Sequence, residues 1–133
     1  MAHSKPLMVE LFAGLHGWGE GAVAEGFWCI GFDTVDVCRE IGQPRPEGCE
    51  LVLQNVLTLH GRQVKDAALI VASPPCQFFS YCAMPWSRAK KLAAEVRADP
   101  ARLEKELSLF NACFRIQREA IEAAGHFIPL VVE

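Results

Sequence analysis

The chain has 133 residues, of which 51% are hydrophobic and 22% charged, and its formal net charge is -3. That length fits one domain able to build its own core, and the acidic balance excludes a protein that holds nucleic acid through a uniformly basic surface. No apolar run approaches the roughly 20 residues of a membrane-spanning helix.

Strand and helix patterns alternate along the chain. A short apolar strand covers 6–12, and a helix follows at 18–25. A second strand covers 27–33, with a short helix at 35–41. After the turn-rich Gln43-Pro44-Arg45-Pro46-Glu47-Gly48 comes a third strand over 50–54. A weak helical turn at 61–66 leads to a fourth strand over 68–72. Residues 73–87 read as a loop and 88–98 as a helix. Pro100 then opens a long helix to about 124, with Leu103, Leu107, Phe110, Phe114 and Ile121 as its buried face and Gly125 as its end. A fifth strand spans 127–132. Alternation of this kind implies a parallel sheet with helices on both faces.

Cysteines stand at 29, 38, 49, 76, 82 and 113, with no Cys-x-x-Cys pair. The apolar run after Lys5 is broken by Glu10, so it is no secretory leader. A reduced, cytoplasmic protein without a disulfide framework is expected. His3, His16, His60 and His126 lack metal-ligand spacing, so no metal site is expected.

Three segments carry chemistry. Ser73-Pro74-Pro75-Cys76-Gln77 directly follows the apolar Ala67-Ala68-Leu69-Ile70-Val71-Ala72. Two prolines leave that turn little freedom, so the thiol is held at the tip of a strand, where open α/β sheets place their ligands. Near the N-terminus, the strand ending Leu11-Phe12 runs into Ala13-Gly14-Leu15-His16-Gly17-Trp18-Gly19, a Gly-rich turn that opens a helix. Strand, Gly-rich turn and helix form the opening of a nucleotide-binding unit. Asp33 ends the next strand, about 20 residues past that turn, where such folds place an acid on ribose hydroxyls.

Together these segments resemble the cytosine-5 DNA methyltransferase family. Glu10-Leu11-Phe12-Ala13-Gly14-Leu15-His16-Gly17 matches the family's first motif, Asp33 its second, Gln54-Asn55-Val56-Leu57 its third, and Pro74-Pro75-Cys76-Gln77 its catalytic motif. Val131-Val132-Glu133 looks like the start of the Glu-Asn-Val motif, cut after its Glu. Two positions depart from the pattern: His16 stands where the family usually has the first glycine of a pair, and Asn55 replaces an Asp.

The resemblance implies an α/β, Rossmann-like class I methyltransferase fold. Its parallel sheet has order 3-2-1-4-5 and is truncated after strand 5, leaving one incomplete cofactor-binding and catalytic subdomain without a target-recognition region. S-adenosylmethionine is the implied cofactor, held by Phe12, Ala13, Gly14, Leu15 and Gly17, with Asp33 on the ribose and Asn55 on the adenine amine. Cys76 is the implied nucleophile. Glu133 and the Pro75 carbonyl would bond the target base, and Gln77 would shape the loop.

The implied substrate is double-stranded DNA, with the reacting cytosine flipped out of the duplex. Ser80, Arg88 and Lys90 are the phosphate-contact candidates, in a stretch from Arg88 to Arg118 where bases outnumber acids. Phe78, Phe79, Tyr81, Met84 and Trp86 either stack at DNA or pack onto the adjacent helix. An apolar fifth strand at a sheet edge invites a second polypeptide or a missing C-terminal region to pair with it. The resemblance fits a phage or bacterial restriction-modification setting. The rival reading is a non-catalytic remnant or interaction module that keeps the fold. A thiol protein built on Cys76 and Cys82 lacks the paired spacing such chemistry uses.

Overall fold

A computed structural model describes residues 4–76 and 84–133. Five strands, β1 (Leu7–Leu11), β2 (Trp28–Asp33), β3 (Cys49–Leu53), β4 (Ala67–Ala72) and β5 (Leu130–Val132), form one sheet in the order β3-β2-β1-β4-β5. Every pairing is parallel. This is the Rossmann-like topology that the sequence predicts, and it puts β1 at the centre. The helices are α1 (Gly17–Ala24), α2 (Val37–Glu40), α3 (Trp86–Ala98), α4 (Pro100–Glu106) and α5 (Ser108–Ala124), with 3-10 turns at Val56–Thr58 and Gly61–Val64.

Alternation along β1 divides the core in two. Val9 and Leu11 face a large cluster with Val56, Leu59, Ile70, Ile116 and Ile128 on the α5 side. Met8 faces a smaller cluster with Cys29, Cys49 and Val71, against which Ala22, Val23 and Phe27 pack from the α1 side. The α1 side leaves the sheet partly uncovered. An apolar groove of about 550 Å³ runs there between Trp18, Ala22, Phe27, Leu69 and Val131. Among the described residues β5 pairs only with β4 and forms an edge of the sheet.

The long C-terminal helix differs from the sequence reading in two ways. It is interrupted at Leu107, although the flanking hydrogen bonds, Leu107 N–H to the Leu103 carbonyl and Asn111 N–H to the Leu107 carbonyl, persist. Its buried face is also not the phenylalanine face. Ala112, Cys113, Ile116 and Ala120 are buried, whereas Phe110 and Phe114 are 40% and 46% exposed and pack edge-to-face on each other. The cause is close docking. A Cβ on Gly61 would stand 2.3 Å from the Ile116 carbonyl oxygen and 2.4 Å from the Ala120 nitrogen. Gly61, with no side chain, lets its turn approach the α5 backbone on this face, and the two rings lie outside the contact.

Arg115 and Glu119 clamp the same contact. The Arg115 guanidinium donates to the Leu59 carbonyl and to Glu119, and Glu119 accepts from the Gly61 N–H. At the far end of the sheet, β5 starts three residues later than expected, because Pro129 has no N–H to donate and pairing begins at Ile70 with Leu130.

Candidate active site

In the order 3-2-1-4-5 the crossovers reverse direction between β1 and β4, and ligands of open α/β sheets sit beyond the carboxyl ends of strands at such a point. Two of the motif segments emerge there. The chain leaves β1 through Phe12, Gly14 and His16 with φ of 60°, 52° and 60°. Left-handed backbone is free for glycine but costs other residues roughly 1–2 kcal/mol each, so Phe12 and His16 are held there by their surroundings. Ala13 N–H donates to the Phe32 carbonyl at 3.1 Å, and His16 N–H to the Ala13 carbonyl at 2.7 Å. Gly14 N–H donates to Asp33 Oδ2 at 2.9 Å, while Asp33 Oδ1 accepts from Thr34 N–H at 2.7 Å. Asp33 therefore ties the loop to the end of β2.

The outer surface of the loop is open among the described residues. A Cβ built on Gly14 or Gly17 meets nothing within 4 Å, and Leu15 is exposed while Phe12 is half-buried. His16 does not occupy that surface. Its ring turns inward and is 1% exposed. Beneath it, Glu10 rises from β1 and caps α1, accepting from Trp18 N–H and Gly19 N–H at 3.2 Å each. Carboxylates suit a helix N-terminus, yet burial outweighs those two donors and pushes the Glu10 pKa up to about 6. Burial pulls the His16 pKa below its ordinary value, with Arg45 adding to the effect, so the imidazole is neutral near pH 7.

At the end of β4, Ser73 N–H donates to the Leu11 carbonyl at 3.3 Å. Pro74 is then buried, while Pro75 and Cys76 are exposed. Glu133 continues from β5, its N–H bonded to the Ala72 carbonyl at 3.0 Å. The Trp18 indole N–H on α1 reaches both Ser73 Oγ and Glu133 Oε2, at 3.2 Å each. The sequence reading missed Trp18. Its signal is a bulky ring set between Gly17 and Gly19, where a turn alone would need none.

Other expected site residues make contacts of their own. Asn55, past β3, uses its side-chain carbonyl to accept from Leu57 N–H at 2.9 Å, which still leaves that oxygen a second lone pair. Arg88 is exposed on α3. Lys90 Nζ sits 5.3 Å from the Trp86 ring centroid, and Trp86 is 67% exposed, so this ring of the aromatic segment does not pack inward. Gln77 and Ser80, with Phe78, Phe79, Tyr81 and Cys82, lie outside the described residues.

No protein-family model matches the chain, and no curated protein matches it. Solved structures do. Two crystal structures of the antibiotic-resistance methyltransferase Kmr align with TM-scores of 0.43, at 18% and 16% identity, over 55% and 58% of this chain. They are matched over 42% and 46% of their own length. The Pyrococcus abyssi tRNA (uracil-54, C5)-methyltransferase, in complex with S-adenosyl-L-homocysteine, aligns with a TM-score of 0.39 at 14% identity, over 62% of this chain and 21% of that one. The chain thus spans less than half the length of each of these structures.

Proposed function

We propose that the chain is the cofactor-binding and nucleophile-bearing part of a DNA (cytosine-5-)-methyltransferase. The observation that carries this reading is the convergence at the carboxyl edge of the sheet. The indole of Trp18, on the helix of the Gly-rich loop, bonds both the segment leading to Cys76 and the carboxylate of Glu133. Segments of three motifs far apart in sequence come together there, which supports the reading.

The residues present fit S-adenosylmethionine. The Gly14 and Gly17 surface has room for a ligand lying against the backbone, Asp33 offers a carboxylate at the end of β2, and His16 leaves that surface clear. Phe12, Ala13, Gly14, Leu15 and Gly17 would form the cofactor wall, with Asp33 on the ribose and Asn55 on the adenine amine. The cofactor, when bound, supplies an electrophilic methyl group.

The chain's own residues prepare the acceptor. Carbon 5 of cytosine is a weak nucleophile. The Cys76 thiolate, its proton lost to solvent, forms a bond from Sγ to carbon 6, and the ring π electrons shift to give an enamine with electron density at carbon 5. Glu133 hydrogen-bonds the ring nitrogen and the exocyclic amine, and the Pro75 carbonyl accepts from that amine; both favour addition. After methylation the carbon 5 proton leaves to a base, the Sγ–carbon bond breaks and the thiolate is regenerated. Gln77 shapes the loop, and Ser80, Arg88 and Lys90 would contact phosphate.

A second polypeptide segment completing the enzyme would add a strand at β5. The open groove beside Trp18 and Val131, with Phe127 72% exposed next to the edge, supports that site of association. The test mixes the chain with its candidate C-terminal part and DNA containing 5-fluorocytosine, which traps the covalent adduct. An adduct lost in Cys76→Ser supports the reading. Stable association of the two parts with no adduct overturns it and favours an interaction module.

A further inference from the structure

We infer that His16, Cys29 and Cys49 form a buried structural zinc site beneath the Gly-rich loop, separate from the Cys76 chemistry. Each offers one ligand atom, and these atoms lie within 4.8 Å of one another. A tetrahedral zinc ion with bonds of about 2.3 Å to sulfur and about 2.0 Å to nitrogen spaces its ligands about 3.5–3.8 Å apart, so closure needs shifts of about 1 Å. Cys29 and Cys49 are direct partners on neighbouring parallel strands, which puts both thiols on one face of the sheet. His16 reaches down to them from the loop. Thiolate and imidazole together favour zinc over harder cations.

The second, independent observation is the imidazole itself. His16 is 1% exposed; among the described residues its Nε2 has no hydrogen-bond partner, and its Nδ1 has only the Glu10 carboxylate, at 3.4 Å and outside hydrogen-bond geometry. Burying a nitrogen without a good partner is costly, and the loop holds His16 in a left-handed conformation with the ring there. Nearby groups fill the remaining sides. Glu10 Oε2 lies 3.4 Å from His16 Nδ1 and 3.7 Å from Cys29 Sγ, which makes it the nearest candidate for the fourth position. A Cβ on Gly19 would stand 2.8 Å and 2.9 Å from the two sulfurs, so the site is closed on the α1 side. Closed sites with protein ligands on every side are structural; catalytic zinc keeps an open position.

Binding has a definite balance. Both thiols lose their protons, two Zn–S bonds and one Zn–N bond form, and two protons leave to buffer. No oxidant is needed. The ion would link β2, β3 and the loop, with Glu10 bringing in β1 and the N-terminus of α1.

The test titrates the metal-free, reduced full chain with Co²⁺ alone and then displaces it with Zn²⁺. The expected result is one equivalent bound, with thiolate-to-cobalt charge transfer and the d–d bands of a tetrahedral ion. A rise in melting temperature with Zn²⁺ that a chelator reverses is also expected. Cys29→Ser and Cys49→Ser should each weaken zinc binding by about 100-fold or more, while Cys113→Ser, a buried cysteine elsewhere, leaves it unchanged. Bound cobalt without thiolate charge transfer in the wild type overturns the inference, as does a lack of uptake by the reduced chain. So does a Cys29–Cys49 disulfide as the form isolated from cells, seen as a loss of two hydrogens in the intact mass.

Discussion

Gly31→Ala perturbs the loop from beneath, from the strand rather than from its outer surface. Gly31 lies on β2 under the Gly-rich loop, and a Cβ there would stand 2.6 Å from both Ala13 Cβ and His16 Cε1. Ordinary contact begins at 3.4 Å, so each neighbour must retreat by 0.8 Å. The loop hangs from β2 by the bonds Ala13 N–H to Phe32 and Gly14 N–H to Asp33, at 3.1 and 2.9 Å. A retreat along those bonds stretches them to about 3.7–3.9 Å, beyond hydrogen-bond range. Overpacking costs about 1–3 kcal/mol. Losing one neutral bond and one to a carboxylate adds about 2 kcal/mol, offset by the better strand propensity of alanine. The net loss is about 3 kcal/mol, or roughly 10 °C in Tm. Urea unfolding followed by circular dichroism reads it. Gly21→Ala is the control: the same methyl on α1 meets nothing within 4 Å and should stabilise by about 0.5–1 kcal/mol. A Gly31→Ala midpoint at or above wild type refutes the packing argument.

Ile116→Ala, at the fully buried centre of the α5 contact, should cost about 2–5 kcal/mol in urea unfolding. Asp33→Ala should weaken S-adenosylmethionine binding by about 10-fold or more in calorimetric titration, because the carboxylate is lost from the ribose position and from the Gly14 N–H; unchanged affinity would remove Asp33 from the site. In native protein a thiol reagent should take up one equivalent fewer in Cys76→Ser than in wild type. Cys29, Cys38, Cys49 and Cys113 are buried and should react only on unfolding, as mass spectrometry of labelled peptides would show. Trp18→Phe keeps the ring but removes the indole N–H shared by Ser73 and Glu133. It should lower adduct formation on 5-fluorocytosine DNA while changing stability by less than about 1 kcal/mol.

What was legible in the sequence is what alternation and local geometry encode. Hydrophobic runs cut by turns marked five strands and a parallel sheet, while the order 3-2-1-4-5 came from the family resemblance. The Pro-Pro turn after β4 and the glycines after β1 marked the two segments that meet at the carboxyl edge. The helical face of α5 was misread because periodicity weighs hydrophobicity alone, while the close approach of Gly61 to the α5 backbone selected the Ala112, Ile116 and Ala120 face. The same limit hid the cluster under the loop. Cys29 and Cys49 are twenty residues apart and His16 comes from a turn, so no ligand spacing exists along the chain; parallel register alone makes them neighbours. His16 is the clearest case. As a sequence position it reads as a glycine lost from a cofactor loop, with two poses open, crowding the ligand or lying outward. In the fold its side chain takes neither: it points from the proposed cofactor surface into the core and puts its ring nitrogens in the interior. The departure from the family's pattern is therefore better explained by what lies below the loop than by what binds above it.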